Sequence, residues 1–253
     1  MCSGYQPSGS IHIGNFRDIA TSYFVYKALI KQGKKARLFI SWDEFDRFRK
    51  VPVNVKEIAP ELENEIGKPY VDVKDPYGCC SSYAEHFEKE FEASLSRFGV
   101  EVDFRRQSEN YRSGKYAKYI IQAVQKRKEI FDILDKFRQQ VATEEEREAY
   151  YPVSIYCPVC GKDETTIISS SEDGVTCEYT CKCGHKGTWD FSKDFNCKLA
   201  WKIDWPMRWM IEGVDFEPGG RIMPAQEEVM IQVRSSRRRF SERRHLCLKD
   251  MNS

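Results

Sequence analysis

Hydrophobic and polar positions follow two different periods over the first hundred residues. An amphipathic stretch at 16–31 predicts a helix, and the apolar run at 36–40 predicts a short strand. A second amphipathic stretch at 81–98 predicts another helix, with Gly99 and the apolar run 100–104 directly after it. Helices that alternate with short apolar strands are typical of a parallel sheet, so the pattern predicts an α/β fold.

The pattern changes after residue 104. Residues 105–150 show helical periodicity with many charges of both signs, which is typical of a solvated pair of helices. Cys, Gly, Thr and Asp replace helix formers at 151–195, with a short strand predicted at 165–169. Large apolar side chains return at 196–220. These shifts indicate an α/β domain interrupted by a helical segment and a small, cysteine-containing one.

Composition narrows the class of protein only slightly. A chain of 253 residues with 41% apolar content can bury a core. Its 40 basic and 39 acidic residues give a net charge of +1, so any nucleic-acid surface must be local. The N-terminus lacks an apolar secretory stretch, and no apolar run approaches the roughly 18 residues of a membrane span. We therefore expect a cytoplasmic protein with no membrane partner.

The spacing of the cysteines predicts a metal site. In a chain of this size without a secretory signal, the ten cysteines are expected to stay reduced or to bind metal. A Cys-x-x-Cys-Gly sequence is followed about twenty residues later by Cys-x-Cys-Gly, which predicts a structural zinc site with all four positions filled. The predicted ligands are Cys157, Cys160, Cys181 and Cys183. Cys177 is the alternative ligand. Cys79, Cys80, Cys197 and Cys247 are expected to be ordinary thiols.

The first fifteen residues have the chemistry of a phosphate-binding loop. Small residues and one histidine lie where a loop leads into the predicted helix. Free amide groups and the positive end of the helix dipole attract phosphates. Gly14 allows close approach of the backbone, and His12 can donate a hydrogen bond to a charged oxygen. The segment is therefore a candidate nucleotide site.

The segment at 7–15, Pro-Ser-Gly-Ser-Ile-His-Ile-Gly-Asn, resembles the first nucleotide-binding motif of class I aminoacyl-tRNA synthetases. The resemblance implies a Rossmann-like parallel sheet that binds ATP, with Mg²⁺ accompanying the nucleotide. It implies catalytic contacts with ATP from His12 and Asn15, and a nucleotide site lined also by Ser8, Gly9 and Gly14. A Gly-x-Gly-x-x-Gly fingerprint is absent from the sequence, which disfavours a dehydrogenase.

Two further segments, 41–52 and 198–209, resemble class I lysyl-tRNA synthetases, and the resemblance covers about 3–220. It implies ATP-dependent activation of L-lysine and its transfer to tRNA-Lys. A substrate ammonium group needs a carboxylate or an aromatic ring in a sheltered site. The groups could be supplied by Asp43, Asp46, Asp204 and Trp205. The resemblance adds Gly4 and Gln6 to the lysine site.

The same resemblance gives the chain its predicted domains. Residues 1–104 form the first half of a nucleotide-binding catalytic domain, 105–150 a helical insertion, 151–195 a zinc-binding insertion, and 196–220 a return to the catalytic domain. After Gly220 the family pattern stops. Codons chosen for the following residues and read one base out of register can restore that pattern. We therefore expect an out-of-frame, disordered tail at 221–253.

Little synthetase activity is expected from this sequence. The chain enters the phosphate-binding loop almost at once, and neither a Lys-Met-Ser-Lys-Ser-like loop nor an anticodon-binding domain is found in it. Such a loop neutralises charge that builds up on pyrophosphate, which predicts weak or absent formation of lysyl-adenylate. Two alternatives remain at this point: a non-catalytic, zinc-dependent RNA-binding remnant, and the product of a nonfunctional gene fragment.

Overall fold

The computed structural model describes residues 1–10, 13–138 and 142–218. His12 and the tail predicted at 221–253 lie outside these ranges. The described residues form two compact units, Met1–Glu109 together with 214–218, and Asn110–Gly213. The second unit includes most of the segment 196–220 that the sequence assigned to the catalytic domain. The predicted division into a catalytic domain with two insertions stays a prediction.

A three-stranded parallel sheet lies at the centre of the first unit. Its strands are Cys2–Tyr5 (β1), Phe39–Trp42 (β2) and Asp103–Arg106 (β3), in the order β1-β2-β3. The helices are Ile13–Lys31 (α1), Val53–Lys56 (α2) and Tyr83–Arg97 (α3). Short 3-10 turns occur at Pro60–Glu65 and Tyr70–Asp72. The parallel α/β fold expected from the sequence is confirmed.

Two of the strands lie two to three residues later than the pattern predicted. The apolar run ends at Ile40, but parallel pairing with β1 continues through Ser41 and Trp42. Ser41 is buried, and its hydroxyl accepts a hydrogen bond from Gln107 Nε2 at 2.6 Å. A buried strand can hold a polar residue when a partner satisfies it, so hydrophobicity alone misplaces the strand end.

Two aromatic clusters form the core of the first unit. The cluster against the sheet is centred on Trp42, whose ring centroid lies 5.8 Å from that of Phe91 and 6.4 Å from that of Tyr5. The second cluster, which includes Phe48 and Tyr83, packs around the segment that follows β2. Helix α3 contributes side chains to both clusters, and its packing therefore ties that segment to the sheet.

The second unit joins short helices to small antiparallel sheets. Its helices are Ala117–Gln125 (α5), Arg127–Asp135 (α6), Glu144–Ala149 (α7) and Trp201–Glu212 (α8), while Gln107–Arg112 (α4) spans the point at which the first unit ends. Its strands are Val153–Ile155 (β4), Thr165–Ser170 (β5), Thr176–Cys181 (β6), Lys186–Asp190 (β7) and Cys197–Leu199 (β8). Strands β5, β6 and β7 form one antiparallel sheet, and β4 pairs with β8. Several short helices thus replace the predicted helical pair.

Within the ranges that the structure describes, no helix combines the length and the apolar character needed to cross a lipid bilayer.

Candidate functional site

The loop between β1 and α1 is compact. Its residues Gln6–Ser10 lie beyond the carboxyl end of β1, and the Ser8 amide donates a hydrogen bond to the Gln6 carbonyl at 2.8 Å. Gly9 has a φ of +155°, which side chains rarely tolerate, and a Cβ atom there would lie 3.5 Å from Pro52 Cγ. Ser8 is exposed and Gly9 half-buried. Two of the predicted nucleotide contacts therefore lie in a tight turn that favours glycine.

The start of helix α1 carries no negative charge of its own. The first turn has no acidic residue, and Gly14 is exposed within it. Asn15 lies in the same turn, whereas His12 is outside the described residues. Because the amide groups and the dipole of a helix N-terminus attract anions, this end of α1 can accept a phosphate.

The predicted lysine contacts of the first unit lie at the ends of neighbouring strands. Gly4 pairs in register with Ser41, and Asp43 follows β2, with its amide donating to the Tyr5 carbonyl at 2.5 Å. The Gln6 side chain is held by Asp46, whose carboxylate accepts from its Nε2 at 3.1 Å. The structure thus brings Gly4, Gln6 and Asp43 to the carboxyl edge of the sheet, where ligands bind in open α/β folds.

Glu44 is a functional candidate that the sequence reasoning missed. It is almost fully buried, and its carboxylate accepts hydrogen bonds from the Gln107 amide at 3.1 Å and from the Ser108 amide and hydroxyl at 2.7 Å each. Burial raises its pKa to about 7, although the bonds from Ser108 oppose that shift. Glu44 thereby attaches the segment after β2 to the start of α4. The pair of acids at 43 and 44 was a signal, but spacing cannot show that both are buried or which partners each one binds.

A second buried carboxyl group lies near Glu44. Glu88 is 3% exposed and pairs with Arg106, whose Nε lies 2.9 Å from Glu88 Oε2. Arg106 also binds Glu92 at 2.7 Å, and Glu92 accepts a hydrogen bond from Trp42 Nε1 at 2.9 Å. Burial raises the pKa of Glu88 to about 8, and repulsion from Glu44 adds to the effect. Arg106 cannot fully compensate the carboxyl groups that surround it.

Asp204 lies in the second unit and is completely buried. Its carboxylate binds Lys198 Nζ at 2.8 Å and Arg208 Nη2 at 2.9 Å, and it accepts a short hydrogen bond from the Tyr111 hydroxyl. Burial alone would raise its pKa, but Arg208 and Lys198 hold that pKa below its ordinary value. The predicted contact with a substrate ammonium would require one of these cations to be displaced. A structural role for Asp204 fits the geometry better.

Trp205 is more accessible than its neighbour. Successive residues of a helix point about 100° apart, so Trp205 does not share the buried direction of Asp204. Its ring is half-buried and forms a ladder along α8 with Trp201, 6.0 Å away between centroids, and Trp209, at 6.3 Å. Part of the Trp205 side chain is exposed to solvent, and its role in binding lysine stays a prediction.

The four predicted zinc ligands converge. Cys157 Sγ lies 3.8 Å from Cys183 Sγ, Cys160 Sγ lies 3.6 Å from Cys181 Sγ, and all four sulfurs lie within 4.8 Å of one another. Tetrahedral zinc with Zn–S bonds of about 2.3 Å separates its sulfurs by about 3.8 Å, so the spacing fits that ion. Cys177 lies in β6 and does not belong to this cluster.

A second cluster of possible metal ligands was not anticipated. Asp75, Cys79, Cys80 and His86 of the first unit also place their ligand atoms within 4.8 Å of one another. Cys79 Sγ lies 3.2 Å from His86 Nδ1, and Asp75 Oδ1 lies 3.4 Å from the same nitrogen. A carboxylate, two thiols and an imidazole in this geometry suit a divalent transition metal. The sequence signal was the close spacing of these four residues, although both cysteines were expected to be ordinary thiols.

Several cations in the described part of the helical segment pair with carboxylates. Lys115 pairs with Glu212 at 2.8 Å, and Lys126 pairs with Glu129 at 3.1 Å. Arg127 and Lys128 both pair with Glu148. Carboxylates therefore lie beside these four cations, which is typical of a solvated face of mixed charge.

Comparison with known proteins identifies a family model that covers most of the chain. The model described as "tRNA synthetases class I (K)" matches residues 1–227.

Curated proteins of the same kind are similar over much of the chain. The lysine–tRNA ligase of Thermococcus kodakarensis is 46% identical over 219 residues, which cover 87% of this chain and 41% of that protein. The lysine–tRNA ligase of Pyrococcus horikoshii is 42% identical over 219 residues, which again cover 87% of this chain and 41% of that protein. That of Treponema pallidum is 40% identical over 220 residues, again 87% of this chain and 41% of that protein. The chain thus spans about two fifths of the length of these relatives.

The buried carboxyl groups predict a stability that depends on pH. The unfolded chain releases the Glu88 proton near pH 4.5, whereas the folded protein keeps it until about 8, so the contribution to stability is full below 4.5 and is lost as pH rises through this window. In the wild type the free energy of unfolding should fall as pH rises through this window. In Glu88→Gln the slope of this fall should be smaller by up to about 1.4 kcal/mol per pH unit. Urea unfolding between pH 4.5 and 8 measures this, with the exposed Glu101→Gln as control. Equal slopes for Glu88→Gln and the wild type would contradict the assignment.

The ion network in the second unit predicts a large cost for Asp204→Asn. The change leaves Lys198 and Arg208 buried without their counter-charge, so the free energy of unfolding should fall by about 3–5 kcal/mol. Asp132→Asn is the matched control, because Asp132 binds Arg147 through both oxygens but is 50% exposed, and its loss should cost at most about 1 kcal/mol. Chemical denaturation measures both losses in the free energy of unfolding. Similar losses in the two variants would show that burial of the ion network does not increase its contribution to stability.

Proposed function

This chain belongs to the family "tRNA synthetases class I (K)", and from that premise we propose that it carries the nucleotide-binding and amino-acid-binding part of a lysine–tRNA ligase. The similar proteins of Thermococcus kodakarensis and Pyrococcus horikoshii are named lysine–tRNA ligases, and the chain spans 41% of their length. The proposed substrates are ATP with Mg²⁺, L-lysine and tRNA-Lys. The proposed location is the cytoplasm, where tRNA is charged.

The observation that carries the proposal is the meeting of two candidate sites at one edge of the parallel sheet. The turn at Gln6–Ser10 leads toward the N-terminus of α1, and Asp43 lies at the end of the neighbouring strand. A reaction between a nucleoside triphosphate and an amino acid with a cationic side chain requires an anion site beside a buried carboxylate.

In the proposed reaction the lysine carboxylate attacks the α-phosphorus of ATP, and pyrophosphate leaves as lysyl-adenylate forms. The terminal hydroxyl of tRNA-Lys then takes the lysyl group and releases AMP. Amides of the loop containing Ser8 and Gly9, with Gly14, would bind phosphate oxygens, and His12 and Asn15 would stabilise the charge that develops on phosphorus. The lysine ammonium would lie near Asp43, beside Gly4 and Gln6. The family resemblance implies a lysine contact for Trp205 as well, which is proposed here separately from the first unit's residues.

The proposed role of Asp204 follows from its partners. Because Lys198, Arg208 and Tyr111 use its carboxylate, it orients α8 and hence Trp205, and does not itself bind the substrate.

Metal ions are proposed for both ligand clusters. Cys157, Cys160, Cys181 and Cys183 would hold a structural zinc ion, with no position left for water. A small antiparallel module with few buried side chains gains much of its stability from such an ion. Asp75, Cys79, Cys80 and His86 would bind a second zinc ion at the start of α3.

The nucleotide proposal predicts specific binding of ATP. Calorimetric titration should detect ATP binding to the wild-type chain, weakened about 10-fold or more in His12→Ala because a hydrogen bond to a charged oxygen is lost. His185→Ala, which changes a histidine of the second unit, should bind ATP normally. Lysine-dependent pyrophosphate exchange, measured on the same samples, reports adenylate formation. Binding of tRNA without any binding of ATP would favour the RNA-binding alternative and contradict the proposal.

The metal proposal predicts two zinc equivalents per chain by elemental analysis. Cys160→Ser and Cys79→Ser should each lose about one equivalent, because each removes a ligand of a different cluster. Cys177→Ser should keep both, since Cys177 lies in neither cluster. Loss of zinc only in Cys160→Ser, from a total of one, would reject the cluster around Asp75.

A further inference from the structure

Helix α3 holds the loop Gln6–Ser10 at two points. The Tyr83 hydroxyl donates a hydrogen bond to the Ser8 carbonyl at 3.1 Å, and the Ser10 hydroxyl donates to Glu90 Oε2 at 3.3 Å. Tyr83 and Glu90 are seven positions apart and therefore lie on one face of the helix. The bond from Tyr83 lies directly before Gly9, where the chain makes its unusual turn.

The Tyr83 side chain itself has little freedom. It is fully buried, and its ring packs against Phe87, Phe48 and Tyr70 with centroids 4.7, 5.1 and 5.9 Å away. The Tyr83 amide donates to the Val73 carbonyl at 2.8 Å. Burial raises the pKa of the Tyr83 phenol, so the hydroxyl remains a proton donor. The core thus fixes the direction in which this hydroxyl points.

The start of α3 is fixed as well. Ser82 caps the helix by accepting a hydrogen bond from the Glu85 amide at 3.1 Å. Asp75 accepts bonds from the amides of Cys79 and Cys80 at 2.7 Å each, which orders the segment leading to the cap. Tyr83 is therefore held from both sides, independently of the loop that it contacts.

The first part of the loop is held by the bond from Gln6 Nε2 to Asp46, whereas its two serines lie at the surface. Ser8 and Ser10 are exposed, and the bond between Ser10 and Glu90 also lies at the surface. Surface hydrogen bonds contribute little, because water replaces them readily. The contact from Tyr83, in contrast, comes from a buried side chain and lies directly before the turn at Gly9.

We propose that Tyr83 is a positioning residue for the phosphates of the nucleotide: its hydroxyl holds the Ser8 carbonyl, and so keeps the loop Gln6–Ser10 in the binding conformation. The inference rests on the proposed function for the identity of the ligand, but the geometry of the contact does not depend on it. When the binding conformation is populated only part of the time, the apparent affinity equals the intrinsic affinity multiplied by the populated fraction.

Tyr83→Phe tests this directly, because it keeps the ring in the core and removes only the hydroxyl. Hydrogen exchange of the loop amides in the free protein should become about 2- to 10-fold faster, the range for the loss of one hydrogen bond. The affinity for ATP should fall by up to the same factor, while the affinity for adenosine, which has no phosphate, should stay within the error of the wild type.

Tyr23→Phe is the matched control. Tyr23 also donates a phenolic hydrogen bond to a backbone carbonyl, that of Gly99, at 3.0 Å, but it does not contact the loop. It should leave both the exchange of the loop amides and ATP binding unchanged. A general loosening of the fold would instead lower the thermal midpoint and weaken adenosine and ATP together.

The outcomes separate this inference from the proposed function. Unchanged exchange in the loop of Tyr83→Phe would overturn the positioning role, whatever the ligand. Faster exchange in a protein whose wild type binds no ATP would support the loop contact but refute the nucleotide proposal. Equal weakening of ATP and adenosine would also overturn the inference, because the effect would then not be confined to the phosphates.

Discussion

The parallel pairing of β1 with β2 is the constraint on which the candidate site depends. Gly4 lies opposite Ser41 and Tyr5 opposite Trp42, so both strands end at the same level. The loop after the first strand and the acidic segment after the second must then emerge side by side. A shift of one residue would turn each side chain to the other face of the sheet, which would separate Asp43 from the loop and expose Trp42.

Buried charge is the second principle of this structure, and it is compensated differently in the two units. Asp204 is surrounded by two cations and a phenol, which keep it ionised inside the second unit. Glu44 and Glu88 have too few positive partners, and burial raises the pKa of both. The first arrangement stabilises a fixed geometry around α8. In the second arrangement, Glu44 and Glu88 gain or lose a proton near neutral pH, beside the sheet edge where the nucleotide is proposed to bind.

Metal ligands occur where the hydrophobic core is thin. The antiparallel strands β5, β6 and β7 have few buried side chains between Thr165 and Asp190, and four thiols converge at one end of them. The cluster around Asp75 lies at the start of α3, the helix that also contacts the candidate nucleotide loop. A metal ion bound at the start of α3 would therefore help to fix the position of this helix, and with it the contact between Tyr83 and the loop.

Features that depend on short-range patterns could be predicted from the order of the amino acids alone. Alternating periods specified the parallel α/β fold, the spacing of Cys157, Cys160, Cys181 and Cys183 specified their convergence, and the small residues around Gly9 marked the loop. The partners of the buried charged groups could not be predicted in this way. Asp43 and Glu44 are adjacent, yet the Asp43 amide binds Tyr5 and the Glu44 carboxylate binds Ser108, and both partners are far away in sequence. Asp204 likewise binds Tyr111, which lies 93 positions earlier. Long-range packing sets these contacts, and no local period records them.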